Sequence, residues 1–314
     1  MTLLLHLADF NEASWAAGFA AALPGHRVVQ RGDDYDPAEV DYIFVWKPKP
    51  DAFAGLENLK AVLSLGAGVD ALLRHPNLPR DVPVVRFMDA DLTQRMSDYV
   101  VANVAMHQRL ATRFKRDQAA RRWKQLYPPA CWETAVGIMG LGTLGQDAIR
   151  HLKVSGYQLR GWSRTPKSID GVATFAGADE LDAFLAGTDI LVNLLPLTPE
   201  TAGILDYELF TKLRRDGLDG GPVLINAARG GHQKDADVAR ALQDGTLAAA
   251  SLDVFEVEPL PADSPLWTLD NCYFTPHIAA ASSEVTGVAY FSKAIRDHEA
   301  GLPLPNVIDR DRGY

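Results

Sequence analysis

Three polar residues follow strand-like runs in the second half of this 314-residue chain. Arg229 stands in Asn-Ala-Ala-Arg-Gly-Gly after the apolar run 222–226, Glu258 ends Leu-Asp-Val-Phe-Glu-Val-Glu, and His277 ends Phe-Thr-Pro-His. Singly, each has an ordinary explanation: a cap for Arg229, a solvated loop residue for Glu258, a satisfied core histidine for His277. As a set they fit one chemistry. A guanidinium fork binds a carboxylate and polarises the adjoining ketone. An imidazolium donates a proton as hydride reaches the carbonyl carbon, and a carboxylate keeps that imidazole charged and oriented. Reduction of a 2-keto acid needs these groups. Strand-end loops of an open α/β sheet share its carboxyl edge, which would bring all three to one place.

The same edge carries a hydride-donor signal. A strand over 135–139 runs into Gly140-x-Gly142-x-x-Gly145, and 146–154 continues as helix. Gly140 permits the tight turn, Gly142 lets a pyrophosphate approach the backbone, and Gly145 lets helix and strand pack closely. With 25 glycines in the chain such a spacing arises by chance, so the strand–turn–helix context carries the weight. The next strand ends in Gly161-Trp162-Ser163-Arg164-Thr165-Pro166-Lys167, with no carboxylate to receive ribose hydroxyls. Ser163, Arg164 and Lys167 suit a 2′-phosphate instead. NADP(H) is therefore the expected cofactor and NAD(H) the alternative. In the first third, Gly66-Ala67-Gly68 follows a strand and offers backbone N–H groups to a small anion, though a plain turn into a helix reads equally well.

The elements that must position these residues alternate. Strands are expected at 2–7, 27–30, 42–46, 59–65 and 83–87, with a helix at 12–22. Six more are expected at 135–139, 158–163, 189–194, 222–226, 248–254 and 273–275, with helices at 178–185, 235–243 and 284–300. Such alternation predicts an α/β fold of two doubly wound parallel-sheet domains, the larger a Rossmann dinucleotide-binding domain. The stretch 91–124 lacks proline and glycine and reads as one long helix or a helix pair; its basic second half is a solvated face.

Composition sets the remaining bounds. Hydrophobic residues make 47% and charged residues 23%, an ordinary balance for a globular protein, and the net charge of −9 argues against a nucleic-acid surface. Two cysteines, Cys131 and Cys272, make neither a disulfide framework nor a metal site. No apolar run approaches a membrane span, so a cytoplasmic location is expected.

The chain resembles the D-isomer-specific 2-hydroxyacid dehydrogenases, within them the glyoxylate/hydroxypyruvate reductase A branch. The resemblance rests on Leu65-Gly66-Ala67-Gly68-Val69-Asp70, the Gly140–Gly145 loop with its Cys- and Trp-flanked strand, Trp162-Ser163-Arg164-Thr165 and Asn193 to Thr201. It continues through Asn226 to Gly230, Leu252 to Pro261, Ser264-Pro265-Leu266-Trp267, Thr275-Pro276-His277 and the terminal Asp311-Arg312-Gly313-Tyr314, covering nearly the whole chain. It implies that Arg229 binds substrate and that Glu258 and His277 form the acid/base pair. It implies that Ala67 and Gly68 hold the substrate carboxylate, that Trp46 lines the pocket, and that Asp253 orients the nicotinamide carboxamide. Cofactor contacts are implied at Gly140, Gly142, Thr143, Leu144, Gly145, Ser163, Arg164, Lys167, Leu195, Pro196, Thr201 and Ala227. It further implies a discontinuous substrate domain (1–98 and 285–314) around a cofactor domain (99–284), and a homodimer. Met96-Ser97-Asp98 departs from the Val-Ala-Glu of many relatives, so no cofactor contact is carried over from that helix. His232 is expected at the surface. The rivals are a dehydrogenase for an aromatic or phosphorylated 2-hydroxy acid, the latter weakened by the lack of an appended regulatory domain. A third is a non-catalytic dinucleotide sensor similar to the C-terminal binding protein corepressors.

Overall fold

The structure is a computed structural model and describes residues 1–313; Tyr314, the end of the terminal motif, lies outside the described residues. The chain divides into two compact units, Met1–Leu92 with the chain from Ser282 onward, and Thr93–Ala281.

The first unit holds β1 (Thr2–Leu7), β2 (Arg27–Gln30), β3 (Tyr42–Trp46), β4 (Ala61–Ser64) and β5 (Val84–Arg86), all parallel in the order β2-β1-β3-β4-β5. β1 is buried along its whole length and β3 along Tyr42 to Val45. Covering both faces of a parallel sheet demands such continuous apolar runs. The helix Glu12–Ala22 and the last helix, Glu284–Glu299, supply one cover. Phe19, Phe44, Phe87 and Phe291 are completely buried between them, with ring centroids 5.1 Å (Phe19–Phe44), 5.0 Å (Phe44–Phe291) and 5.7 Å (Phe87–Phe291) apart. Each such side chain contributes about 1.5–3 kcal/mol of burial energy. Gly287 lets the helices close: a Cβ there would stand 2.9 Å from the Trp15 ring. Ser14 Oγ donates to Glu284 at 2.8 Å beside it. Aromatic packing thus returns the last helix to the first unit.

The second unit holds β6 (Ala135–Met139), β7 (Gln158–Ser163), β8 (Ala173–Ala176), β9 (Ile190–Asn193), β10 (Val223–Asn226), β11 (Ala249–Leu252) and β12 (Cys272–Phe274). All are parallel, in the order β12-β11-β10-β9-β6-β7-β8. Between β6 and β9 the winding reverses, and ligands bind at this switch point in open sheets. Six strands were expected; β8 is a seventh. It escapes a hydrophobicity reading because it is a half-buried edge strand paired only with β7, held by Phe175 against Phe184 and the Arg160 guanidinium. The stretch 91–124 is a helix pair, Ala90–Gln108 and Ala111–Ala119, broken where Leu110 takes a left-handed conformation (φ 58°). The second helix stops short of 124, so part of the basic run is not helical.

Candidate functional site

The glycine turn after β6 shows three different reasons for glycine. Gly140 has φ 103°, and a Cβ on it would lie 2.7 Å from Leu194 O. A Cβ on Gly145 would lie 1.9 Å from Gly140 O, so only glycine lets the helix Thr143–Val154 start so close to the strand. Gly142 caps that helix, and a Cβ there would meet nothing within 4 Å. Its φ of −78° does not need glycine either. The open space lies before the first-turn N–H groups of Thr143 and Leu144, where an anion is stabilised. A dinucleotide pyrophosphate fits that cradle.

Beyond β7, Ser163 is buried and donates from Oγ to Thr165 O (2.9 Å), while Arg164 is exposed. Lys167 reaches back over the glycine turn and donates from Nζ to Leu141 O at 2.7 Å. Leu195 and Ala227 are buried at the ends of β9 and β10, the neighbouring wall. Pro196 O accepts from Thr201 Oγ1 at 2.7 Å, so the Thr201 hydroxyl folds its own loop. Ser97 Oγ donates to Asp147 at 2.5 Å, tying the helix Ala90–Gln108 to the helix after the turn.

Arg229, Glu258 and His277 come together at the carboxyl ends of β10, β11 and β12. His277 Nδ1 lies 2.8 Å from Glu258 Oε2, and Glu258 Oε1 accepts from Phe255 N at 3.1 Å. The two side chains are 42% and 37% exposed, open enough to meet a substrate. Partial burial alone would push the Glu258 carboxyl up. The hydrogen bond and charge of His277, the Phe255 N–H and the Arg229 guanidinium outweigh it, and the carboxyl is lowered from its ordinary value. Gly230 places Arg229 there, since a Cβ on it would sit 1.7 Å from Phe255 O. Arg229 Nη1 donates to Ala228 O at 2.8 Å, fixing the side chain against its own turn.

His277 has a left-handed backbone, φ 56°, costly for a residue other than glycine. Asp253, 2% exposed, holds it so. The Asp253 carboxylate accepts from Thr275 Oγ1 (2.5 Å), Ile278 N (2.9 Å) and Ala279 N (2.9 Å), and its backbone carbonyl accepts from His277 N (2.8 Å). A carboxylate accepts about four hydrogen bonds, so three of its acceptor directions are already used within the chain. Its first duty is to staple the histidine turn.

His232 was expected at the surface, and the structure corrects this. It is completely buried, with Nε2 3.2 Å from Pro196 O and Nδ1 3.1 Å from Asn193 Nδ2. A histidine between Gly-Gly and Gln-Lys-Asp looks solvated in sequence, yet the turn at Gly230 drives it inward. Asn193, Asn226 and Gln233 are likewise buried and bonded to one another or to His232. Sequence reading missed this group, whose signal was two asparagines at the ends of adjacent apolar strands.

In the first unit, Trp46 ends β3 and its ring covers Gly66, where a Cβ would lie 2.9 Å from the indole. Ala67 and Gly68 follow in the loop after β4. Among the described residues no cluster of His, Cys, Asp and Glu is arranged to hold a metal ion.

A seven-stranded doubly wound sheet with a glycine turn at its switch point defines a dinucleotide-binding protein of the Rossmann class. Residues 101–279 match the model of the D-isomer specific 2-hydroxyacid dehydrogenase, NAD binding domain, and the chain belongs to that family. Glyoxylate/hydroxypyruvate reductase A of Yersinia enterocolitica is 40% identical over 100% of both chains. The NADPH-dependent glyoxylate/hydroxypyruvate reductase of Sinorhizobium meliloti, solved with NADP and sulfate, is 44% identical with a TM-score of 0.94, covering 100% of this chain and 99% of its own. A probable 2-hydroxyacid dehydrogenase of Rhizobium etli, solved with NADP, HEPES and L(+)-tartaric acid, is 48% identical with a TM-score of 0.92 and the same coverage.

Proposed function

We propose that this protein reduces small 2-keto acids, glyoxylate and hydroxypyruvate, to 2-hydroxy acids of D configuration where chirality exists, with NADPH preferred over NADH. The observation that carries this reading is the 2.8 Å His277–Glu258 pair beside Arg229, on the sheet edge that bears the glycine turn. The names of the full-length relatives support the substrate class.

NADPH, when bound, would supply the hydride; the chain's residues do the rest. Gly142 and the first turn after it receive the pyrophosphate, Ser163, Arg164 and Lys167 the 2′-phosphate, and Leu195, Pro196, Thr201 and Ala227 line the wall. Arg229 takes the substrate carboxylate in its planar fork and stabilises charge growing on the ketone oxygen. His277 has Nδ1 committed to Glu258, which leaves Nε2 to deliver the proton to that oxygen. Glu258, anchored by Phe255 N, holds the imidazole in orientation. Asp253 fixes the backbone beneath it. Trp46, Ala67 and Gly68 belong to the unit we assign to substrate binding, and Thr93–Ala281 is the cofactor unit.

We further assign a homodimer. Trp123, Tyr127 and Trp132, at 97%, 86% and 72% exposure, are large aromatic side chains left in solvent that a second copy would cover. Both cysteines are free and no helix among the described residues is long and apolar enough to cross a membrane, which suits the cytoplasm. The test is a panel of glyoxylate, hydroxypyruvate, and aromatic and phosphorylated 2-keto acids with each cofactor. The two small acids with NADPH should give the highest kcat/KM. Preference for a bulky acid would move the protein elsewhere in the family, and binding of NADPH without any turnover would favour a sensor.

A further inference from the structure

His232 follows Arg229 by three residues in the short turn Gly230–His232, and the reaction as derived gives it no task. It nevertheless joins both walls of the site. Its Nε2 lies 3.2 Å from Pro196 O, and its Nδ1 lies 3.1 Å from Asn193 Nδ2 and 3.1 Å from Arg229 O. Asn193 and Asn226 are register partners at the ends of β9 and β10, so their carboxamides are neighbours.

The neighbouring amides fix the histidine's proton. Asn193 Oδ1 accepts from Leu195 N (3.2 Å), so its amide nitrogen donates to Asn226 Oδ1 (3.0 Å) and to His232 Nδ1. Asn226 Oδ1 also accepts from Ala228 N (3.2 Å), and Asn226 Nδ2 donates to Gln233 Oε1 (2.8 Å) and Arg229 O (3.3 Å). Gln233 Nε2 in turn donates to Asp235 Oδ1 (2.7 Å) and Val254 O (3.2 Å). Each amide hydrogen has an acceptor only in this arrangement. A flipped Asn193 would set oxygen against Asn226 Oδ1 and abandon Leu195 N. His232 Nδ1 therefore accepts, and the ring proton sits on Nε2 and is donated to Pro196 O. A proton on Nδ1 could reach only Arg229 O, which already accepts from His232 N (3.2 Å) and Asn226 Nδ2 (3.3 Å), and it would oppose the Asn193 N–H inside a buried network, where an unmade bond is expensive.

We propose that His232, as the neutral Nε2–H tautomer, is a positioning residue that locks the turn bearing Arg229 to the loop bearing Pro196, holding the keto-acid and dinucleotide walls at one spacing. The names of the two walls rest on the reductase reading; the bonding pattern does not.

The two ring bonds separate by substitution. Asn at 232 puts a carboxamide oxygen where Nδ1 stands and keeps the Asn193 bond, while Gln reaches the Nε2 position and keeps the Pro196 bond. His232→Phe should weaken NADPH binding and lower kcat/KM for glyoxylate, each about tenfold, the worth of one buried hydrogen bond. Because the Pro196 bond is the one that ties the Arg229 turn to the neighbouring loop, His232→Gln should recover most of both terms and His232→Asn little of either. NADPH affinity is read by fluorescence titration without keto acid, so it remains informative even if glyoxylate proves not to be a substrate. That failure would sink the reductase reading while leaving the Gln-over-Asn difference in NADPH affinity as the test of His232. Should the Phe variant not fold, the Asn and Gln contrast decides alone. Near-wild-type values in His232→Phe, or losses in His232→Gln as large as those in His232→Asn, would reduce His232 to packing and overturn the proposal.

Discussion

His277 and Glu258 touch at 2.8 Å, and that contact gives the pH dependence a sign. The Glu258 carboxyl is lowered in the folded protein, so the pair is fully formed above the ordinary carboxylate range and is lost as pH falls through the lowered value. Reduction should therefore decline on the acid side as Glu258 is protonated and the pair is lost. In Glu258→Gln that acid limb should disappear and kcat/KM for glyoxylate at neutral pH should fall about 10²-fold; an acid limb that stays in place would remove Glu258 from proton delivery. A second prediction concerns cofactor choice. Arg164→Ala should raise the KM for NADPH about 10–100-fold, the value of a charge-assisted phosphate contact, and leave that for NADH nearly unchanged. Equal loss with both would take Arg164 off the 2′-phosphate. The placement of these residues was legible because each follows the end of a strand by no more than six residues. The burial of His232 was not, because it depends on Gly230 meeting Phe255, a contact between strand ends far apart in sequence.

Among the elements, the glycine turn separates folding from binding. Gly142→Ala puts a methyl group into space that no protein atom occupies within 4 Å. It should cost NADPH affinity sharply while Tm stays within about 3 °C, since only a helix cap is altered. Gly145→Ala drives a Cβ to 1.9 Å from Gly140 O, a backbone atom that cannot swing aside. It should lower Tm by several degrees as well as weaken NADPH, the cost of overpacking being about 1–3 kcal/mol. Thermal melts and fluorescence titrations of both variants check this, and equal melting losses would contradict the division of labour. The strand that runs into the turn was legible because it is a continuous apolar run, unlike β8 with its mixed burial. A helix pair was one of the two readings of 91–124, but no glycine or proline marked the break at Leu110; a left-handed leucine is a tertiary choice.

For the whole molecule, alternation in the sequence is enough to imply two parallel sheets, because parallel strands require crossovers that return over the sheet. The proposed homodimer is tested at this scale. Replacing Trp123 and Trp132 together by Ser should shift sedimentation from dimer toward monomer without lowering Tm of the monomeric fold much, as both lie largely in solvent; a wild type that sediments as a monomer would contradict the dimer, and an unshifted dimer would place the interface elsewhere.

The function proposed for this chain requires His277 to protonate a 2-keto acid reduced by NADPH. The direct measurement is NADPH oxidation with glyoxylate by the wild-type protein and by His277→Ala, with NADPH binding titrated on the same preparations. The wild type should turn over, and the variant should bind NADPH comparably while kcat/KM for glyoxylate falls about 10²–10⁴-fold. A wild type that leaves NADPH unoxidised, or a variant that reduces glyoxylate nearly as well, would contradict it.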